Sequence, residues 1–136
     1  MDRLFVDTNI VIDLLQKREK FYEEAQELFT LADRKKVKLF ISSLTIANVH
    51  FLLSKHYNSN DARKILAKFK TLTTVLPLDD KIIELALTSN LKDFEDAIQY
   101  YTAIENNTDM IITRNKKDFK KSQIPVLTAK EYLNRK

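Results

Sequence analysis

The chain has 136 residues, 44% of them hydrophobic and 31% charged. That length suits one domain over residues 1–136, burying roughly 70% of its unfolded surface. It has no glycine and no cysteine, which excludes Walker and dinucleotide loops, disulfide frameworks, thiolate nucleophiles and cysteine-ligated metals, so any phosphate chemistry falls to side chains or a metal ion. Twenty-three Lys and Arg against nineteen Asp and Glu leave a net charge of +4, compatible with a polyanionic partner. No stretch approaches the roughly 18 apolar residues of a membrane span, and the N-terminus lacks a secretory pattern. The expectation is a cytoplasmic protein with no membrane association.

In chain order, the apolar run Leu4-Phe5-Val6 predicts a buried strand that turns at Asp7-Thr8-Asn9 into a helix carrying Ile10, Val11, Ile12, Leu14 and Leu15. Phe21, Ala25, Leu28, Phe29 and Ala32 recur at helical spacing, predicting a second helix that closes near Arg34. Val37–Ile41 reads as a strand, and Ser42-Ser43 supply capping hydroxyls for a helix with Val49, Leu52 and Leu53. A helix with Ala62, Ile65, Leu66 and Phe69 follows, then a short strand, Thr74–Pro77. Helices begin at Leu78-Asp79-Asp80 and at Asp93–Asp96, the latter closing at Asn106-Asn107. Met110–Thr113 is a strand, Pro125–Leu127 an edge strand, and Thr128 caps a final helix. Strands that are apolar throughout and alternate with helices imply an α/β fold: a parallel sheet of four to five strands with helices on both faces.

In such sheets ligands bind beyond the carboxyl ends of the strands, which directs attention to Asp7, to Ser42-Ser43, and to Arg114-Asn115-Lys116-Lys117-Asp118. Asp7 has two readings, a helix cap or a carboxylate aimed at a ligand. Asp93 and Asp96 lie three apart at a helix start, where they either complement the helix dipole or share a cation that offsets their repulsion. Two or three acids with room for water suit Mg²⁺. His50 and His56 lack zinc-ligand spacing. Asn115 and Asp118 sit among Lys116, Lys117, Lys120 and Lys121, either a solvated basic loop or a metal edge whose lysines collect phosphate charge.

Phe5-Val6-Asp7-Thr8-Asn9-Ile10-Val11-Ile12-Asp13-Leu14-Leu15 resembles the opening of a PIN domain. Ile41-Ser42-Ser43, Asp93-Phe94-Glu95-Asp96-Ala97 and Ile112-Thr113-Arg114-Asn115-Lys116-Lys117-Asp118-Phe119 are similar to that family's later motifs, in order and over nearly the whole chain. The resemblance implies a three-layer α/β/α sandwich and a ribonuclease dependent on Mg²⁺ or Mn²⁺, of the kind found as VapC-type toxins. By position, Asp7 and Asp96 match catalytic, metal-binding acids, with Asp93 an accessory acid and Asn115 standing where many members carry Asp. Thr113 matches a supporting hydroxyl, and Asn48 occupies the place expected to hold Glu. Asp118 is a candidate to compensate for the missing charge, and Lys116, Lys117 and Arg18 are candidates for flanking phosphates. The implied partners are RNA, a small antitoxin protein and a second copy in a homodimer.

Each amide that replaces an acid removes a negative charge that would hold a divalent ion. The alternative is therefore a catalytically weak or inactive module that binds RNA or a protein partner. A third class, phosphotransfer through an aspartyl-phosphate at Asp7, is opposed by Asn9, which stands where such enzymes carry a second acid. Without glycine, left-handed backbone positions are expected at Asn58, Asn60, Asn90, Asn106 and Asn107.

Overall fold

The structure, a computed structural model, describes residues 1–135. An apolar strand needs cover on both faces, and β1 (Asp2–Val6) obtains it by alternation: Leu4 and Val6 enter one core and Phe5 the other. The first core is closed by α1 (Thr8–Leu15), α2 (Tyr22–Asp33), α3 (Ser43–Leu53), α4 (Ser59–Lys70) and α7 (Ala129–Leu133). On the opposite face, α5 (Asp80–Leu87) packs through Ile82 and Ala86 on Ala97 and Ile98 of α6 (Phe94–Glu105). Tyr100 and Ala103 of α6 in turn cover Phe5, Phe40 and Ile111. The layers are those of an α/β/α sandwich.

Four further strands, β2 (Val37–Ser42), β3 (Thr74–Leu76), β4 (Met110–Ile112) and β5 (Val126–Leu127), complete a parallel sheet of order β3-β2-β1-β4-β5 among the described residues. The chain moves outward from β1 to β2 and β3, then returns to the other side of β1 with β4. Strand order thus reverses between β1 and β4, whose carboxyl ends are the place where sheets of this kind form a ligand crevice. Helix starts follow the capping residues in the sequence: Ser42, Asn58, Asp79, Asp93 and Thr128 each accept a backbone N–H with a side-chain oxygen, and Thr128 forms a capping box with Glu131. None of the helices described is long and apolar enough to cross a membrane.

Two local expectations are corrected. Of the five asparagines expected in left-handed conformation only Asn107 adopts it, at φ 55°, and the other two positive-φ residues among those described are Lys17 and Lys35, at 50° and 59°. Asn58 instead uses its side chain as the α4 cap at φ −72°, Asn60 lies within α4, and Asn106 ends α6 at φ −104°. The lysines lie just beyond the ends of α1 and α2, where closing the helix outweighs a cost of roughly 1–2 kcal/mol for a non-glycine residue. The basic stretch, read as either a solvated loop or a metal edge, winds into a 3₁₀ turn at Lys116–Phe119, anchored by Phe119, which is 2% exposed. Phe5 is fully buried in the central strand, so Phe5→Ala should cost about 3–5 kcal/mol; urea unfolding would measure it.

Candidate functional site

Pairing of Val6 with Ile112 brings the next residues of the two strands side by side. The Asp7 N–H donates to the Ile112 carbonyl at 2.9 Å, and the Thr113 hydroxyl donates to Asp7 Oδ2 at 2.8 Å. Asp7 Oδ1 accepts the Thr8 N–H at 2.9 Å, while the Asn115 N–H donates to Thr113 Oγ1 at 3.1 Å. Asp7 is therefore both a helix cap and a fixed carboxylate at the crevice. Burial pushes its carboxyl upward, opposed by hydrogen bonds from Thr113, Thr8 and Gln99, while the charge of Asp118 adds to the upward push.

The start of α6 supplies the facing acids. Asp93 Oδ1 accepts the Asp96 N–H at 3.0 Å, fixing the first turn. The Asp96 carboxyl is pushed up to about 7, first by burial and then by the negative charges of Asp93, Asp118, Asp7 and Glu95. These charges converge from three segments: the end of β1, the start of α6 and the 3₁₀ turn. Asn48 of α3 faces the start of α6, where its Nδ2 donates to Glu95 Oε1 at 2.9 Å.

Behind the acids lies a polar brace that the sequence reading missed. Gln99 Nε2 donates to the hydroxyls of Thr8 and Thr45, both at 3.0 Å, and those hydroxyls lie 2.8 Å apart. Ser42 Oγ accepts the Thr45 N–H at 3.2 Å, tying β2 and α3 into the same group. Gln99 Oε1 is buried without a partner. The available signal was spacing, because Gln99 lies one turn beyond Asp96 on the same helix face.

The remaining candidates divide between two hollows. Asp118 and Lys117 line a groove of about 640 Å³ that also contains Asp93, Asp96, Lys120 and Lys121. Asn115 instead lines a hollow of about 400 Å³ with Asp13 and Arg114. Arg18 Nη1 lies 3.8 Å from Asp13 Oδ1, and Lys116 Nζ is 3.0 Å from Glu131 Oε2, so both cations face acids outside the cluster. Asp13 is fully buried within α1, and Arg114 Nε approaches its Oδ2 at 2.8 Å while the guanidinium stacks 4.1 Å over Phe21. This pair anchors the segment between Thr113 and Asn115 to α1. A charge inside an otherwise apolar helical stretch was the cue to seek it.

The acid cluster fits a hard divalent cation by charge and donor chemistry: oxygen donors whose burial, together with their mutual repulsion, holds Asp96 partly protonated at neutral pH. Among the described residues no three acidic, histidine or cysteine side chains lie together closely enough to hold a metal ion by themselves. The arrangement is an open edge, suited to an ion that keeps waters and takes one or two carboxylates plus a phosphate oxygen.

Residues 3–117 match the family described as PIN domain. Over 98% of its length the chain is 29% identical to ribonuclease VapC1 of Aquifex aeolicus, covering 95% of that protein. A toxin–antitoxin complex from Klebsiella pneumoniae contains a similar chain, with TM-score 0.68, 28% identity, and coverage of 93% of this chain and 97% of that one. DNA-bound VapBC from Salmonella typhimurium gives a TM-score of 0.70 at 18% identity, covering 95% and 99% of the two chains, a likeness of fold.

Two stability predictions follow from these charges. Asp96 titrates near 7 when folded against an ordinary value of 3.8, so the folded state holds the extra proton between those values and stability falls as pH rises through that window. In metal-free buffer Asp96→Asn should raise the thermal midpoint more at pH 8 than at pH 5; an equal shift at both would contradict the charge origin. Asp13→Ala should cost about 3 kcal/mol, the lower end for breaking a buried pair because the Arg114 side chain keeps 23% exposure. A double-mutant cycle with Arg114→Ala checks the pair directly.

Proposed function

The chain belongs to the PIN domain family, and on that premise we propose that it is an endoribonuclease that hydrolyses RNA phosphodiester bonds with Mg²⁺ or Mn²⁺. The observation that carries the reading is that Asp93, Asp96 and Asp118 line one groove close enough to Asp7, fixed at the end of β1, for burial and these neighbouring charges together to push the Asp96 carboxyl up to about 7. Asp7 and Asp96 would hold the ion, with Asp93 and Asn115 contributing directly or through water. When bound, the ion polarises the scissile phosphate and makes water a competent nucleophile at neutral pH.

The chain's own residues supply the rest. Thr113 fixes the orientation of Asp7, and the Gln99–Thr8–Thr45 group braces α1, α3 and α6 so that their distance across the crevice is set before substrate arrives. Lys117 offers a cation to a flanking phosphate at the groove edge, with Lys116 and Arg18 further out and already engaged with Glu131 and Asp13. Asp118 supplies the negative charge missing from Asn115, since it acts on both Asp7 and Asp96. Deprotonation of Asp96 makes ion binding, and hence turnover, rise with pH towards neutrality.

The relatives carry this reading into a biological role. The chain is proposed to act as the toxin of a toxin–antitoxin pair, held by a small antitoxin protein and assembled as a cytoplasmic homodimer. A non-catalytic RNA- or partner-binding module draws its support from Asn48, a neutral amide whose Nδ2 donates to Glu95 where an acid is expected. The two readings part on one assay. Purified protein with Mn²⁺ or Mg²⁺ should cleave single-stranded RNA internally, chelation should stop it, and Asp7→Asn should abolish it. Undiminished cleavage by Asp7→Asn would overturn the assignment, and RNA binding without cleavage would favour the module.

A further inference from the structure

Beyond the acids, the groove continues between the start of α6 and the 3₁₀ turn. Leu91, Tyr101 and Ile104 form an apolar stretch of its lining, and Lys92, Lys117, Lys120 and Lys121 stand exposed along it. Its volume of about 640 Å³ lies within the roughly 300–1,000 Å³ typical of small-ligand sites.

Tyr101 is half-buried and its ring is fixed from behind. It meets the Tyr100 ring edge-on, with centroids 5.1 Å apart and planes at 74°. Tyr100 is itself held, because its hydroxyl accepts the Gln123 N–H at 3.0 Å and only 9% of the residue is exposed. A ring positioned in this way presents an aromatic surface at little entropic cost. Phe119 cannot serve in its place, being 2% exposed and committed to the core.

The charges select the occupant. A row of lysines beside an aromatic surface attracts a linear polyanion whose monomers carry π-faces, which is the chemistry of single-stranded nucleic acid. An acidic peptide would satisfy the lysines, but it would carry carboxylates into Asp93, Asp96 and Asp118, which line the same groove. A nucleic acid instead brings a phosphate to the acids that would hold the proposed cation.

We propose that this groove is a nucleotide subsite for single-stranded RNA, in which Tyr101 stacks on a base flanking the scissile phosphate and Lys120 and Lys121 contact the phosphates beyond it. The choice of RNA rests on the ribonuclease reading, whereas the stacking and phosphate contacts rest on the groove itself. The groove thereby sets which side of the cut the strand is gripped from.

The test measures binding apart from cleavage, by fluorescence anisotropy of a labelled single-stranded RNA in EDTA. Tyr101→Ala should weaken binding about tenfold, and Tyr101→Phe should retain the wild-type affinity. Lys120→Ala with Lys121→Ala should flatten the dependence of log K on log salt by about 0.7 per lysine. Tyr101→Leu keeps apolar packing and should lose affinity like the alanine variant, which covers the case in which Tyr101→Ala fails to fold. Wild-type affinity and salt slope in the alanine, leucine and double-lysine variants would overturn the subsite, as would a wild-type protein that binds no RNA; a groove that serves a protein partner gives the former result. Cleavage of the same RNA with Mn²⁺ is scored separately. Cleavage with groove-independent binding removes only the subsite, and groove-dependent binding without cleavage removes only the hydrolytic reading.

Discussion

The site depends on one cross-strand contact: the Thr113 hydroxyl on the buried carboxylate of Asp7, at 2.8 Å. A carboxylate 7% exposed at the end of an apolar strand is unfavourable unless its oxygens are engaged. The parallel register of β1 and β4 places the required donor beside it. Through Thr113 the constraint reaches the Asn115 backbone and the Arg114–Asp13 pair, so the segment leaving β4 is held to α1 from both sides of its turn. Phe119 then anchors the following 3₁₀ turn and brings Asp118 to the acids.

Opposing this order is the repulsion among the acids. Partly buried and crowded by the charges of Asp93, Asp118 and Asp7, Asp96 stays partly protonated near neutral pH, which lowers the cost of gathering these acids. On the proposed reading, a cation bound at such a site would relieve the repulsion and displace the proton together. The Gln99–Thr8–Thr45 brace keeps the cluster from relaxing apart, because it bridges α1, α3 and α6 directly behind the acids. Stability is exchanged here for a preorganised charge.

Much of this was legible in the sequence because it rests on local rules. Apolar strand runs, capping residues such as Ser42, Asp79, Asp93 and Thr128, and helical periodicity specify the layers and put Asp7, Asp93 and Asp96 at strand ends and helix starts. What escaped depends on three-dimensional pairing. The partners of Asp13 and Gln99 lie far away in sequence, so neither pair is visible to spacing alone. The basic run after β4 carries no helical period, yet burial of Phe119 winds it into a turn that separates Asp118, facing the groove, from Asn115, facing the second hollow. Asparagine proved a poor marker of left-handed backbone here, because the same short side chain caps helices as readily.

The central claim is that the acid cluster is a cation site whose proton is exchanged for metal. It is tested most directly by titrating Mn²⁺ into the protein at pH 7 by calorimetry in two buffers of different ionisation enthalpy. With Asp96 titrating at about 7, binding should release about half a proton, and Asp96→Asn should release none. Binding without proton release, or no binding at millimolar Mn²⁺, would contradict the account.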